Sequence, residues 1–216
     1  MKAARVLRAA GIVAGIVAYQ CAAHYAVSTP GAHGIGLALV LAPLALILLN
    51  AAARSTARAW LLPLGALAGA VLWLGRAPLV EHFGWGLWIE QAGFNLALAW
   101  TFGRTLAAGR EPLCTQFATL VHGRIEPRVM RYTRRVTLAW TLFFSATALV
   151  STMLFVCASI VTWSTFANYL ALPLVGLMFV VEYACRRIAL PGMKPSSILD
   201  AVRAYSQSAQ MRRGAP

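Results

Sequence analysis

Six long apolar runs, separated by polar connections, constrain this chain more than any other feature of its sequence. The runs cover approximately residues 9–28, 35–53, 60–75, 85–103, 136–158 and 166–185. Each is close to the ~20 residues that a helix needs to cross ~30 Å of hydrocarbon. Because backbone groups in lipid must satisfy their own hydrogen bonds, each run is expected to be helical. The sequence therefore predicts an all-α polytopic membrane protein, a six-transmembrane-helix bundle.

The basic residues are distributed unevenly between the connections. Of the 19 Lys and Arg residues, three precede the first run, two lie at 54–58, seven lie at 104–135 and six follow the last run. Arg76 alone lies in the alternate connections. Since basic loops are retained in the cytoplasm, we predict that both termini are cytoplasmic. One transmembrane domain, 1–190, would contain the cytoplasmic loop 104–135 and precede a polar cytoplasmic tail, 191–216.

The formal charge of +13 would suit a nucleic-acid-binding protein if it lay on a soluble domain. Here 60% of the residues are hydrophobic and 12% are charged, against about a quarter charged in soluble domains. We therefore expect membrane lipids, not nucleic acid, as partners. The first run continues past the usual length of a signal-peptide core, so we interpret it as a membrane span.

The loop 104–135 contains the pattern of a short amphipathic helix. Its apolar positions recur at helical spacing between Pro112 and His122: Leu113, Phe117, Leu120 and Val121. Such a helix would lie along the membrane surface or pack under the bundle. Glu126 and Pro127 then predict the start of a second helix that continues into the fifth run, because proline suits a first helical turn.

The same loop is rich in arginine, which makes it a candidate binding surface for acidic partners or anionic lipid. Arg128, Arg131 and Arg135 are spaced i, i+3 and i+7 and predict a basic stripe, with Arg134 beside it. The full set of candidate binding residues is Arg110, Arg124, Arg128, Arg131, Arg134 and Arg135. A simpler role for them is contact with lipid headgroups next to the membrane span.

Two acidic residues lie in or near the predicted spans. A carboxylate inside an apolar span is costly unless it is paired, protonated or in contact with water. Glu90 and Asn95 are therefore candidates for a substrate or proton site, unless the helix begins later and leaves Glu90 among the headgroups. Glu182 precedes Arg186 by four residues, which is the favoured order for a helical ion pair.

No catalytic residue is identified. The chain lacks an HEXXH motif, a glycine-rich phosphate loop and a GxSxG elbow, and its four cysteines have no metal-ligand spacing. We expect no cofactor and no metal. Two alternatives stay open: a metal or proton site at the outer surface, and acyl transfer in the loop. The residues concerned are His24, Glu81, His82 and Glu90 for the first, and Cys114 or His122 for the second.

Tryptophan and glycine positions predict how the helices are placed. Indole rings prefer the headgroup level, and six tryptophans lie near the predicted span ends: Trp60, Trp73, Trp85, Trp88, Trp140 and Trp163. Paired glycines four residues apart allow helices to approach closely, at Gly11 and Gly15 and at Gly65 and Gly69. We expect internal packing at these pairs.

Three stretches of the second half carry a family resemblance: 109–118, 120–123 and 132–140, with the sequences GREPLCTQFA, LVHG and YTRRVTLAW. Across about 104–190, the chain resembles poorly characterised bacterial inner-membrane proteins. Those proteins are encoded beside fatty-acid-synthase-like enzymes and acyl carrier proteins in aryl polyene pigment clusters. The resemblance carries no catalytic motif. It implies a bacterial inner (cytoplasmic) membrane with acidic acyl carrier proteins or biosynthetic enzymes nearby.

Two functions follow from these observations. The first is an accessory role in lipid or polyketide-like biosynthesis, in which the basic cytoplasmic face engages an acidic carrier protein or anionic lipid. The second is a small transporter or flippase for an acyl or aromatic product, with Glu90 inside the bundle.

Overall fold

The computed structural model of the protein describes residues 2–54, 58–123 and 125–191, and these residues are almost entirely helical. The helices are α1 (Lys2–Ser28), α2 (His33–Arg54), α3 (Arg58–Leu74), α4 (Arg76–Glu81), α5 (Phe83–Gly103), α6 (Leu113–His122), α7 (Pro127–Cys157), α8 (Ile160–Thr165) and α9 (Ala171–Ala189). A 3-10 turn at Arg104–Leu106 follows α5, and a π-helical turn at Phe166–Leu170 joins α8 to α9. The described residues form no strand, so the predicted all-α class is confirmed.

Four described stretches are long and apolar enough to cross a membrane: Ala10–Ser28, His33–Ala51, Pro127–Cys157 and Ile160–Ala189. They correspond to the first, second, fifth and sixth predicted runs. Helix α3 contains a shorter apolar stretch, Pro63–Leu72. Helix α5 has 21 residues, but three of them, Glu90, Gln91 and Asn95, are strongly polar. The capacity to span a membrane is thus confirmed for four of the six runs.

The helix boundaries in the basic loop agree with the sequence. Helix α6 covers Leu113–His122 and ends at Gly123, whose φ of 73° suits a residue without a side chain. Helix α7 begins at Pro127 and continues into the fifth run without a break. Both predictions for this loop are confirmed. The predicted tail falls almost wholly on residues 192–216, which lie outside the described part of the chain.

The helices form two compact units. The first contains the described residues up to Phe94 together with Leu149–Pro173, and the second contains Asn95–Ala148 with the described residues from Leu174. Residues of α1, α5, α8 and the π turn form the core of the first unit: Ala23, Ala26, Val27, Phe83, Leu87, Trp163 and Ala167. In the second unit the core surrounds Trp140, whose ring lies 5.4 Å from that of Phe144 and 4.7 Å from that of Phe179.

Many large apolar side chains lie outside these cores. On α7, for example, the exposed set contains Leu138, Leu142, Leu149, Met153 and Val156. Small polar side chains of the same helix are buried instead, among them Thr133, Thr137, Thr147 and Ser151. This arrangement is the reverse of a soluble protein and suits a helix with acyl chains around it.

Two packing predictions are wrong in part. Trp163 is 1% exposed and Trp140 is 6% exposed, so these rings fill cores and do not act as interfacial anchors. A Cβ added at Gly11 or Gly15 would meet nothing within 4 Å in the described structure, so this pair forms no close helix contact there. Gly65 does lie against the Leu48 side chain, as a close helix approach requires.

Candidate functional site

Helix α6, in the second unit, packs with its polar face inward. Thr115 is 1% exposed, and its hydroxyl shares a hydrogen bond of 2.7 Å with the hydroxyl of Thr133 on α7. The backbone N–H of Cys114 donates to the Thr137 hydroxyl over 3.2 Å. On the opposite face, Phe117 is 38% exposed and Leu120 is 43% exposed. The apolar face predicted from the sequence exists, and its main residues point away from the protein.

Hydrogen bonds fix the connection that leads into α6. The N–H of Leu113 donates to the Thr105 hydroxyl over 3.0 Å, and that hydroxyl donates to the Phe102 carbonyl over 2.6 Å. The Gln116 amide donates to the Glu111 carbonyl over 2.6 Å, while the Glu111 carboxylate accepts from the Thr119 hydroxyl over 3.1 Å. The segment 107–112 is therefore held at both ends.

An open basic cleft lies between this segment and α7. Its volume is about 520 Å³, and its lining residues are Gly109, Arg110, Glu111, Pro112, Thr115, Met130, Arg131 and Arg134. The guanidinium of Arg134 donates to the Leu106 carbonyl over 3.1 Å, which holds the side chain in place. Within the described residues, the side chains of Arg110 and Arg131 have neither a hydrogen bond nor an ion pair. We call this feature the arginine cleft.

Only some of the arginines predicted from the sequence line this cleft. Arg128 donates to the Ala189 carbonyl over 2.8 Å, at the last turn of α9, and does not line the cleft. Arg135 is exposed and lies outside the cleft as well, and Arg124 lies outside the described residues. The stripe of Arg128, Arg131 and Arg135 stays a prediction: all three side chains are exposed on α7, but only Arg131 lines the cleft. Helical spacing by itself does not group Arg110 with Arg131 and Arg134, because Arg110 comes from a loop.

The acid near the end of α9 is paired, as predicted. Arg186 donates to Oε1 of Glu182 from Nη2 over 2.8 Å and from Nε over 3.0 Å. The Tyr132 hydroxyl donates to the Glu182 carbonyl over 3.1 Å, so α7 also contacts this turn. Because Glu182 is engaged in this pair, we assign it a structural role.

In the first unit, Glu90 faces α1. Its Oε2 accepts a hydrogen bond of 2.8 Å from the Tyr19 hydroxyl, and its side chain is half-buried. Helix α5 begins at Phe83, so the alternative of a later helix start is wrong. Asn95 is buried on the same helix, five residues later, and therefore about 140° away around the helix axis. The two candidate residues thus lie on different faces of α5.

Two further polar groups of the first unit were not found from the sequence. The Trp163 indole donates to the Ser151 hydroxyl over 2.9 Å, and Ser151 donates to Oε1 of Gln91 over 2.6 Å. The hydroxyl of the buried Ser164 lies 3.1 Å from His24 Nδ1 and accepts from the Asn168 amide over 3.0 Å. The π turn begins two residues after Ser164, and such turns often occur near functional sites. Ser164 and Asn168 are one helical turn apart, but the other contacts join residues that are distant in the sequence, so no spacing rule predicts them.

The remaining sequence hypotheses find little support. His24 contacts Ser164, and the described residues contain no group of three or more His, Cys, Asp or Glu side chains that could hold a metal, so the proposed metal cluster is wrong. Burial raises the pKa of the Cys114 thiol, which makes it a poorer nucleophile at neutral pH. The side chain of His122 lies outside the described part of the chain.

Comparisons with known proteins add no assignment. No family model, no curated protein and no solved structure matches this chain. The two sites, the arginine cleft and the Tyr19–Glu90 pair, are therefore the basis for a functional proposal.

Proposed function

We propose that this chain is a bacterial inner-membrane accessory protein of lipid or polyketide-like (aryl polyene type) biosynthesis. Its arginine cleft would engage an acidic acyl carrier protein or an anionic lipid at the membrane surface. The observation that carries this proposal is the grouping of Arg110, Arg131 and Arg134 around one open cleft. The chemical context, carrier proteins and acyl products, comes from the family resemblance of residues 104–190.

The electrostatics of the cleft favour an anionic ligand. Guanidinium groups stay charged at any physiological pH and bind carboxylates and phosphates through paired N–H donors. The carboxylate of Glu111, which also lines the cleft, already accepts a hydrogen bond from Thr119. The lining residues therefore carry three positive groups and one negative group, and this excess would attract an acidic partner over long range.

The proposed sidedness places this cleft in the cytoplasm. We propose six spans with both termini cytoplasmic, in which α3 and α5 cross the membrane with the four longer stretches. At ~1.5 Å per residue, the 21 residues of α5 extend about 32 Å and the 17 residues of α3 about 25 Å. The charge asymmetry of the connections supports this topology. Reporter fusions at 104–135 test it, and a periplasmic signal there would refute it.

Retention of an acyl carrier protein tests the proposed role. The full-length protein in neutral detergent would be immobilised and exposed to an acidic acyl carrier protein at low and high salt. We expect retention at low salt, loss at high salt, and loss at both in the combined variant Arg110→Gln, Arg131→Gln, Arg134→Gln. The same combined variant would be tested with vesicles that contain an anionic lipid.

A matched control separates the cleft from net charge. Arg104, Arg135 and Arg187 are exposed arginines outside the cleft, and their combined change to Gln removes the same charge. The proposal requires that this control retain the ligand. Equal losses in both triple variants would show that only overall charge matters, and no retention of either carrier or anionic vesicles would exclude the function.

A second candidate function, transport or flipping of an acyl or aromatic product, is favoured by the Tyr19–Glu90 contact. A polar pair between two helices of a membrane bundle is a frequent element of a substrate or proton path. The test is dithionite quenching of a fluorescent acyl lipid in proteoliposomes. Glu90→Gln should abolish movement while membrane levels stay normal, and Tyr19→Phe serves as a variant that keeps the carboxylate. Unchanged movement in Glu90→Gln would remove this candidate.

A further inference from the structure

The outward face of α6 indicates how deep this helix lies relative to a membrane. Phe117 and Leu120 are exposed on α6, while Thr115 on the other face is hydrogen-bonded to Thr133 near the start of α7. In water this arrangement would expose two large apolar side chains and bury a polar one. In an interfacial helix it is the favourable orientation, because the apolar face contacts the upper part of the acyl chains.

The arginine cleft lies next to this helix and combines charged and apolar atoms. Arg131 and Arg134 are one turn apart on α7, Arg110 comes from the connection before α6, and Met130, 47% exposed, lines the same cleft. With α6 at the acyl boundary, the three guanidinium groups would lie at the level of the lipid phosphates. A phosphodiester offers paired oxygens that guanidinium groups bind through two parallel N–H donors.

From this juxtaposition we infer that the arginine cleft binds the phosphate of an anionic phospholipid, with α6 held in the same leaflet through Phe117 and Leu120. The inference rests on the proposed function and names the ligand class of its site. A phospholipid satisfies both parts of the surface, since it carries a phosphate and acyl chains in one molecule. A soluble carrier protein could bind the arginines through its acidic groups, but it would leave the apolar face of α6 without a role.

Native mass spectrometry of the full-length protein in neutral detergent tests this inference, with phosphatidylglycerol and phosphatidylcholine as the two probes. We expect tighter binding of phosphatidylglycerol. Basic residues near anionic lipid contribute about 1 kcal/mol each, so neutralising one cleft arginine should weaken its affinity about fivefold, and neutralising all three roughly a hundredfold. The control triple variant at Arg104, Arg135 and Arg187 should retain the affinity.

A second pair of variants tests the contribution of α6. The double variant Phe117→Ser, Leu120→Ser should reduce the affinity for phosphatidylglycerol. Its affinity for glycerophosphoglycerol, which has no acyl chains, should stay unchanged. A similar loss of affinity for both probes would mean that Phe117 and Leu120 act only by keeping the cleft folded. That result would overturn the inference that α6 contacts the acyl chains.

The outcomes separate this inference from the proposed function. If the cleft variants lose carrier-protein retention but keep phosphatidylglycerol affinity, the inferred lipid site is wrong. The proposed function is then still supported by binding of the carrier protein. If phosphatidylglycerol affinity falls in the cleft variants alone, the lipid site is supported. If neither ligand responds to the cleft variants, both the inference and the proposed function are wrong.

Discussion

The hydroxyl of Tyr19 on α1 donates a hydrogen bond of 2.8 Å to Oε2 of Glu90 on α5. It connects two helices whose residues are far apart in the sequence, and it gives the most polar side chain of α5 a partner inside the first unit. We expect Tyr19→Phe to lower the free energy of unfolding by about 1 kcal/mol, the scale of interhelical hydrogen bonds in membranes. Unfolding of both proteins in mixed detergent micelles measures this difference in free energy. Tyr25→Phe, an exposed change on the same helix, should have no effect.

Ser151 is expected to be among the most sensitive small residues of the first unit. Its hydroxyl accepts from the Trp163 indole and donates to Gln91, and the site is fully buried. Ser151→Ala removes both bonds and leaves the indole N–H without its acceptor, which should cost about 1–3 kcal/mol. The exposed Ser145 on the same helix is the matched control, and thermal unfolding in detergent compares the two alanine variants. Equal melting temperatures would show that the hydroxyl of Ser151 is dispensable.

The Thr115–Thr133 contact should control how firmly α6 is held. Thr115→Val leaves the shape nearly unchanged but removes one partner of a buried hydrogen bond, so local opening of α6 should become easier by about 1 kcal/mol. Amide hydrogen exchange across 113–122 reports this opening. In a double-mutant cycle with Thr133→Val, the two effects should be less than additive. Additive effects would mean that the two hydroxyls do not act as a pair.

Two glycines of α2 differ in the space around them and make a paired test. A Cβ at Gly36 would overlap the buried ring of Phe83, whereas one at Gly34 meets nothing within 4 Å in the described structure. Gly36→Ala should therefore destabilise the protein by about 1–3 kcal/mol. Gly34→Ala should leave stability unchanged or raise it slightly, because alanine favours helix. The free energy of unfolding of both variants is measured in the same detergent. An unchanged value for Gly36→Ala would contradict the close approach of α2 and α5.

Cys114 should react slowly with alkylating agents near neutral pH. Burial raises the pKa of its thiol, so less reactive thiolate is present than at an exposed cysteine, and the rate should increase as the pH becomes alkaline. Mass spectrometry of the labelled peptides compares its rate in the folded protein with its rate after unfolding in SDS, where we expect faster labelling. Faster labelling of Cys114 in the folded protein would revive the hypothesis of a nucleophilic thiol.

The sequence alone was sufficient for the long helices and for α6, but it did not predict the short helices α4 and α8. The long apolar runs, Pro127 at the start of α7 and Gly123 after α6 act through local backbone preferences and through lipid solvation, and neither depends on distant contacts. The Glu182–Arg186 pair was predictable for the same reason, since one helical turn brings the two side chains together. These features agree with the structure because their physical causes lie within about four residues.

The tertiary structure decided which side chains meet between helices and which way α6 faces. The partner of Glu90 lies 71 residues away, and the arginine cleft combines a loop residue with two residues of α7, so helical spacing predicts neither. The pattern of α6 defined an apolar face, but its direction depends on Thr115, whose partner lies on α7. An amphipathic pattern determines that a helix has two faces, and only the packing of its neighbours determines which face is buried.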